Sequence, residues 1–517
     1  MALWRSVATI GSLTSVSRVT GFLRDIAMTS IIGAGMVADC FVVAFKLPNF
    51  FRRLFAEGAF NAAFVPLFTE KLALDDGQEE ARRFAEDSFA VLLVTLLAFV
   101  AFIQAIMPAF LFLLANGFTD DPPKFDLAVT LTRITFPYLL FISLVSLLGG
   151  VLNALDRFAA VAATPILLNL SLIGCLFLLE PVLPTGGHAL AIGVTFGGFL
   201  QFAWLAFEVR RAGFRIRLRR PRLTPGVKRL LILMAPVALG AGAVQLNLLI
   251  DVVIASFLPD GSMSYLFYAD RLNQLPVGVV GVAVGTALLP LLSRQINAGD
   301  DRDSMASLNR AIEICLFLTL PAAVALFLVP GPLVATLFER GAFNAADTAA
   351  TAAALAAYAA GLPAYVLVKV LGPAFFARQD TKTPVKLSII ALVVNTALNL
   401  ILMGPFLHVG LAMATAIAAW LNVAMMAFVL MRRGHLAMDS RLKSRLPRLC
   451  LTTAAMGGLV WFMAPRISVW SGAAELDRIG AAALLVGAGA LTFAVLAQLT
   501  GALRVHELRS LIRGQQS

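Results

Sequence analysis

The chain has 517 residues, of which 59% are hydrophobic and only 14% charged, and it carries a formal net charge of +11. Apolar runs recur from one end to the other, which excludes a soluble enzyme on a single anchor and indicates an all-α polytopic membrane protein. The positive charge does not imply nucleic acid, because the basic residues gather in the segments between apolar runs.

A bilayer core needs about 20 apolar residues per helix. Fourteen spans are predicted, at 6–32, 38–69, 88–115, 127–152, 161–180, 189–209, 229–257, 265–293, 311–336, 348–377, 385–404, 410–430, 449–464 and 479–501. The first carries Arg18 and Arg24 where a cleavable signal would be apolar, so it reads as a retained helix. Arg18 and Asp25 are seven apart and share a face, with Arg24 beside Asp25.

In the second span, "ADCFVVAFKLPNFFRRLFAEGAF", Asp39, Lys46 and Arg53 repeat every seven residues and Glu57 follows four later. They form one approximate stripe, interrupted where Pro48 removes an N–H from the ladder. An arginine at the centre of a membrane helix costs roughly 2.5–3.5 kcal/mol, so Arg52 and Arg53 are expected to face water or a ligand rather than lipid. The sixth span runs into "RRAGFRIRLRRPRLTPGVKR" (210–229), for which anionic lipid headgroups are the expected partner. The eighth opens "SYLFYADRLNQLP" and places Asp270 and Arg271 near its start.

With the N-terminus in the cytoplasm, the opposite loops hold only Lys124, Arg340, Arg466 and Arg478 of the 41 Lys and Arg. The positive-inside rule then puts both termini in the cytoplasm. "KLPN" at 46 recurs as "QLPV" at 274, "TP" at 164 as "TP" at 383, and "ALAI" at 189 as "GLAM" at 410, offsets of 228, 219 and 221. "RAG" (211–213) likewise answers "RRG" (432–434). Six spans followed by six similar ones imply two lobes in one orientation, with a ligand cleft between them. The expected division is a lobe at 1–210, a basic loop at 211–228, a lobe at 229–433, a basic loop at 434–448, and spans thirteen and fourteen within 449–517. "FAEGAFNAA" (55–63) and "FERGAFNAA" (338–346) fit no such register and read as a local turn sequence.

Arg18, Arg24, Lys46, Arg52, Arg53 and Arg271 outnumber Asp25, Asp39, Glu57 and Asp270. Ion pairs such as Arg24–Asp25 or Arg53–Glu57 would merely fix packing. The surplus of cations instead predicts an anionic ligand, and the planar fork of arginine suits phosphate or carboxylate. Cys40, Cys175, Cys315 and Cys450 stand on separate spans as structural thiols, and the four histidines are scattered without metal-ligand spacing.

"SRVTGFLRD" (17–25), "ADCFVVAFKLPNFFRRLFAEGAFNAAFVP" (38–66) and "SYLFYADRLNQLPVGVVGVAVGTALLP" (264–290) strongly resemble the MurJ (MviN) family of lipid II flippases, within the multidrug/oligosaccharidyl-lipid/polysaccharide exporter superfamily. The resemblance covers essentially the whole chain. It implies two six-helix lobes around a cationic cavity, and two C-terminal helices forming a groove for a polyprenyl tail. It also implies alternating access, location in the bacterial inner membrane, and a role in peptidoglycan synthesis alongside cell-wall synthesis proteins. Lipid II, with its pyrophosphate and peptide carboxylates, would be the anion. By resemblance, Arg18, Arg24, Arg52, Arg53, Arg271 and Ser264 are substrate-binding positions, while Asp25, Asp39, Lys46, Glu57 and Asp270 form a gating or charge network. Pro48, Gly58 and Pro276 would let their helices bend.

Some relatives bind sodium. Here Asp251, Asn395, Asn399, Thr415 and the Leu411 carbonyl offer oxygens for Na+, or else a satisfied hydrogen-bond cluster. Two other readings remain: an exporter of another polyprenyl-linked glycan or of drugs, and a polyprenyl-phosphate membrane enzyme. Against the enzyme, the sequence has no Walker-type loop, and a field of arginines would keep Asp39 and Glu57 ionised.

Overall fold

The computed structural model describes residues 2–53, 60–470 and 475–502, and all regular structure among them is helical. The chain resolves into two compact units, Met1–Ser264 with Arg340–Phe343, and Tyr265–Glu339 with Asn344–Ser517.

The first unit contains α1 (Ala2–Ile32), α2 (Met36–Phe51), α3 (Asn61–Leu72), α4 (Gly77–Ala105), α5 (Met107–Leu114), α6 (Pro122–Thr135), α7 (Tyr138–Ala154), α8 (Phe158–Leu179), α9 (Gly186–Arg211), α10 (Pro225–Ser256) and the opening of α11 (Ser262–Asn297). Helix α10 belongs here because it packs on α3, α4 and α5. Prolines set several of the breaks: α5 restarts after Ile106 with Pro108 in its first turn, and α6 opens on Pro122. Pro165 lies inside α8 and leaves the Val161 carbonyl without its helical donor; the Thr164 hydroxyl donates to that oxygen at 2.8 Å. Phenylalanines fill the core, with the ring of Phe51 against Phe99, Phe110 and Phe136, and that of Phe64 against Phe60, Phe68 and Phe84. Residues 340–343 join this unit through the end of α1. The Ala342 N–H donates to the Ser30 carbonyl at 2.8 Å, and a Cβ on Gly341, whose φ is +58°, would lie 2.1 Å from that oxygen.

The second unit holds the rest of α11, then α12 (Asp301–Leu328), α13 (Pro330–Phe338), α14 (Ala345–Phe376), α15 (Lys382–Arg432), α16 (Ser440–Trp470) and α17 (Glu475–Thr500). Its core runs through Leu292, Cys315, Val370, Phe375, Met426, Leu430, Val460 and Phe493. Asn344 and Asp347 start α14 with a reciprocal capping box, so the second "GAFNAA" is a loop leading into a helix N-terminus. Residues 54–59 of the first copy, with Glu57 and Gly58, lie outside the described residues. Helix α15 is two expected spans, 385–404 and 410–430, joined at Leu407, whose φ of 51° and ψ of −132° suit glycine better than leucine.

Nine helical segments among the described residues are long and apolar enough to cross a membrane. The expected spans outside these nine fall on α1, α2 with α3, α10 and α11. Large apolar side chains also point outward, Leu178 and Leu499 each 76% exposed and Ile232 71%, as a multi-pass membrane protein requires.

In each unit a deeply buried glutamate grips the basic segment that follows its run of spans. Glu86 on α4, fully buried, accepts the Arg217 backbone N–H at 3.0 Å and pairs with Arg219 at 2.5 Å. Glu313 on α12 pairs with Arg445 at 2.5 Å and with Arg310 and Arg441, each at 3.1 Å. A buried carboxylate persists only when such cations and N–H groups replace its water.

Candidate functional site

Of the charged residues singled out in the first two spans, Arg24 and Asp25 form one cluster of the first unit and Asp39 centres another. Arg24 and Asp25 are both buried in the C-terminal third of α1. The Arg24 Nε and Nη2 donate to Asp25 Oδ1 at 3.0 and 2.6 Å, and Nη1 donates to Asn169 Oδ1 on α8 at 3.0 Å. Asn169 is itself oriented, since its Nδ2 donates to the Ser17 carbonyl at 3.1 Å and to Thr20 Oγ1 at 3.3 Å. Gly21 leaves room for it: a Cβ there would come 3.3 Å from Asn169 Nδ2. The ion pair weighed against a ligand role therefore exists, and Asn169 extends it with a neutral acceptor that adds no opposing charge.

Arg18, two turns earlier, is exposed. It lines a cavity of about 520 Å³ with Ile10, Thr14 and Ser17 of α1, Asn153 at the end of α7, and Phe158, Val161, Ala162 and Pro165 of α8. The lining is apolar apart from one guanidinium and a few hydroxyl and amide groups, a composition suited to an amphiphile with an anionic end.

The second cluster surrounds Asp39 in the first turn of α2. Its Oδ2 accepts the Gly261 N–H at 2.8 Å, and its Oδ1 accepts the Ser264 N–H at 2.8 Å and the Ser264 hydroxyl at 2.9 Å. The first N–H groups of any helix lack intrahelical partners, so Asp39 caps α11 from another helix and places its negative charge at the positive end of the helix dipole. Ser264, expected at the ligand, is fully buried in this bond. Lys124 Nζ lies 3.8 Å from Asp39 and 2.5 Å from Asp260, and over the Phe118 ring at 4.2 Å.

Farther along α2, exposure rises from buried Asp39 through half-buried Lys46 to exposed Arg53. The seven-residue stripe is not one uniform face. Pro48 interrupts the ladder, and the turn widens to π geometry at Arg52 and Arg53. Arg52 Nε donates to Asn49 Oδ1 at 3.0 Å.

In the second unit Arg271 is half-buried with its guanidinium 4.7 Å from the Phe267 ring one turn earlier. Asp270 accepts from the Gln274 side chain. Of the residues considered for sodium, Asp251 is in the first unit and accepts from Asn247 at 3.4 Å. In the second unit Asn399 donates to Asn395 at 3.2 Å and Thr415 donates to the Leu411 carbonyl at 2.9 Å. Among the described residues no group of three or more His, Cys, Asp or Glu could hold a metal.

Sequence reasoning missed Asn169, Lys124, Gly261 and Asp260. Asn169 left one signal, a lone amide inside the apolar run "ILLNLSLIG", and Lys124 another, as one of few basic residues assigned to the opposite side.

The family model for "Lipid II flippase MurJ" matches residues 28–476. The chain belongs to the MurJ lipid II flippase family. A probable lipid II flippase MurJ of Rhizobium tropici is 43% identical, over 98% of this chain and 96% of the relative, and that of Rhizobium meliloti is 43% identical over 99% and 97%. The lipid II flippase MurJ of Burkholderia cenocepacia is 37% identical over 96% and 97%. Among solved structures, a lipid II flippase MurJ in an inward closed conformation superposes with a TM-score of 0.79 at 26% identity, covering 95% of this chain and 98% of that one. An inward-facing multidrug transporter of the wider superfamily shares the fold, with a TM-score of 0.66 at 16% identity over 82% and 95% of the two chains. As a member of the MurJ family the protein is a transporter, and the membrane-enzyme reading is set aside.

Proposed function

We propose that the protein moves lipid II from the cytoplasmic to the periplasmic leaflet of a bacterial inner membrane by alternating access, supplying peptidoglycan synthesis. The observation that carries this reading is the pairing of full-length MurJ similarity with cationic side chains held inside apolar helices, Arg24 in the first unit and Arg271 in the second. Fourteen spans, both termini in the cytoplasm and two lobes followed by two C-terminal helices remain the topology that best accounts for the hydropathy and the basic loops.

In this reading the pyrophosphate and peptide carboxylates of the headgroup exchange onto Arg18, Arg24, Arg52, Arg53 and Arg271 during the cycle, because guanidinium groups bind such oxygens bidentately. Arg24 must trade its bonds to Asp25 and Asn169 for the ligand, which makes release as accessible as binding. The apolar slot beside Arg18 suits the phosphate-proximal part of an amphiphile, while the polyprenyl tail stays in lipid along α16 and α17. Asp39 and Ser264 act in gating, since a cap made of neutral donors can be remade at little cost. A sodium ion at Asp251, Asn395, Asn399, Leu411 and Thr415 would require the Asn395–Asn399 and Leu411–Thr415 bonds to open to it.

The test uses bacterial cells whose own flippase is depleted and replaced by this protein, with labelled lipid II read by a probe outside the inner membrane. Restored exposure that Arg52→Ala abolishes at equal membrane level is the expected result. No exposure from a well-accumulated protein would overturn the reading in favour of an exporter of another polyprenyl-linked glycan.

A further inference from the structure

Lysine is almost never fully buried unless it is paired, yet Lys124 is 4% exposed. Its backbone N–H is taken by the Asp121 side chain at the start of α6, which fixes where the side chain sets out. The ammonium then bridges two carboxylates, Asp260 at 2.5 Å and Asp39 at 3.8 Å, above the Phe118 ring. The loop bearing Phe118 is itself tightly seated, since a Cβ on Gly117 would lie 2.4 Å from the Ser256 carbonyl.

We infer that Lys124 is a positioning residue of the transport cycle, the counter-charge that lets Asp39 stay ionised while it caps α11. Asp39 receives three donors from Gly261 and Ser264 at 2.8–2.9 Å, which together use both oxygens of the carboxylate as acceptors. With the ammonium gone, a buried Asp39 either stays charged without that cation, which burial disfavours, or takes up a proton and turns one acceptor oxygen into a competing donor. Either way the first turn of α11 loses its hold on α2. Asp260 is 54% exposed at the side chain and can give up its share of the ammonium to water, so Lys124 can follow Asp39 or stay with Asp260 as the cap is made and broken.

The chain contains its own reporter. Cys40, next to Asp39, is fully buried, and its Sγ donates to the Lys124 carbonyl at 3.3 Å. In a version with Cys175, Cys315 and Cys450 changed to serine, Cys40 is the sole thiol. An impermeant maleimide added to intact spheroplasts then reads the opening of this cluster. The inference rests on the proposed orientation and transport cycle, but thiol labelling does not depend on what is carried.

Lys124→Met is expected to raise the labelling rate at least about five-fold and to lower lipid II exposure by a similar factor, with Lys124→Arg returning both toward the parent. If the methionine variant does not accumulate, Lys124→Gln, which keeps length and polarity but not charge, is read in its place. Unchanged labelling in the neutral variant overturns the inference, as does faster labelling with undiminished lipid II exposure, or failure of arginine to restore protection. Faster labelling rescued by arginine, in a protein that exposes no lipid II even with Lys124 present, would sustain the role of Lys124 in the cluster and reject the proposed substrate.

Discussion

Two buried carboxylates in the first unit are fastened in opposite ways. Asp39 is held by two backbone N–H groups and a hydroxyl, with its cation 3.8 Å away, whereas Glu86 has the Arg219 guanidinium at 2.5 Å. Bonds to an ionised carboxylate are charge-assisted and contribute roughly twice the ~1 kcal/mol of a neutral bond, but Asp39 faces three separate neutral donors where Glu86 faces a full guanidinium charge. The Asp39 cap is therefore a contact that can be exchanged donor by donor. The Glu86 contact, matched by Glu313 in the second unit, is a permanent fastening of a basic segment to its helix bundle.

Glu313→Ala tests this contrast most severely. It removes the carboxylate shared by Arg310, Arg441 and Arg445, the last of them 12% exposed. The expected loss is about 3 kcal/mol, at the low end for a buried pair because Arg310 and Arg441 are partly in water. Glu86→Ala should behave alike, and thermal unfolding of the purified protein with its membrane level checks both. A small loss of stability in either would erase the distinction between fastening and cap.

Asp39→Asn should do the reverse, keeping the fold while impairing transport. One amide NH₂ would face a donor of Gly261 or Ser264, an unfavourable contact worth about 1–3 kcal/mol. Lipid II exposure should fall at least about ten-fold while the protein still accumulates; normal exposure would remove Asp39 from gating.

Asp380, in the connection before α15, supplies the smallest effect. It is half-buried beside an exposed arginine, and hydrogen bonds from Thr383, then Arg433, hold its carboxyl well below the usual carboxylate range. Because the folded value is depressed, its contribution is complete above the unfolded value near 4 and is lost as pH falls toward the folded one. Exposed pairs of this kind contribute less than about 1 kcal/mol. Asp380→Asn should therefore leave neutral-pH stability almost unchanged and slightly flatten its decline in acid, an effect that weakens with salt.

The helical segments were largely legible because hydropathy acts locally, and the expected boundary between 385–404 and 410–430 falls at the kink by Pro405, whereas the expected span 88–115 runs through the break before Pro108. Arg24 and Asp25 were legible as a pair because they adjoin. Asp39 was singled out by its place in the charged stripe and Ser264 by the family resemblance, yet their bond was not legible, since nothing in a sequence tells which distant helix N-terminus a carboxylate will cap. Lys124 was hidden for a related reason. A lone lysine after "TDDPP" has the look of a solvated loop cation, and only the fold brings Asp39 and Asp260 to it. The heptad from Asp39 to Arg53 was legible only as an approximate stripe interrupted at Pro48, and the widened turn at Arg52 loosens it further.

Glu86 and Glu313 stand in the chain at nearly the spacing that separates "KLPN" from "QLPV", and each reaches the arginines that follow its own half. If one half arose as a copy of the other, this fastening was already present in the half-length ancestor. Such an ancestor would have carried its own means of closing its bundle before any fusion, and later divergence, which left Asp39 in one half opposite Phe267 at the same offset in the other, would have specialised the capping end while sparing the basic end.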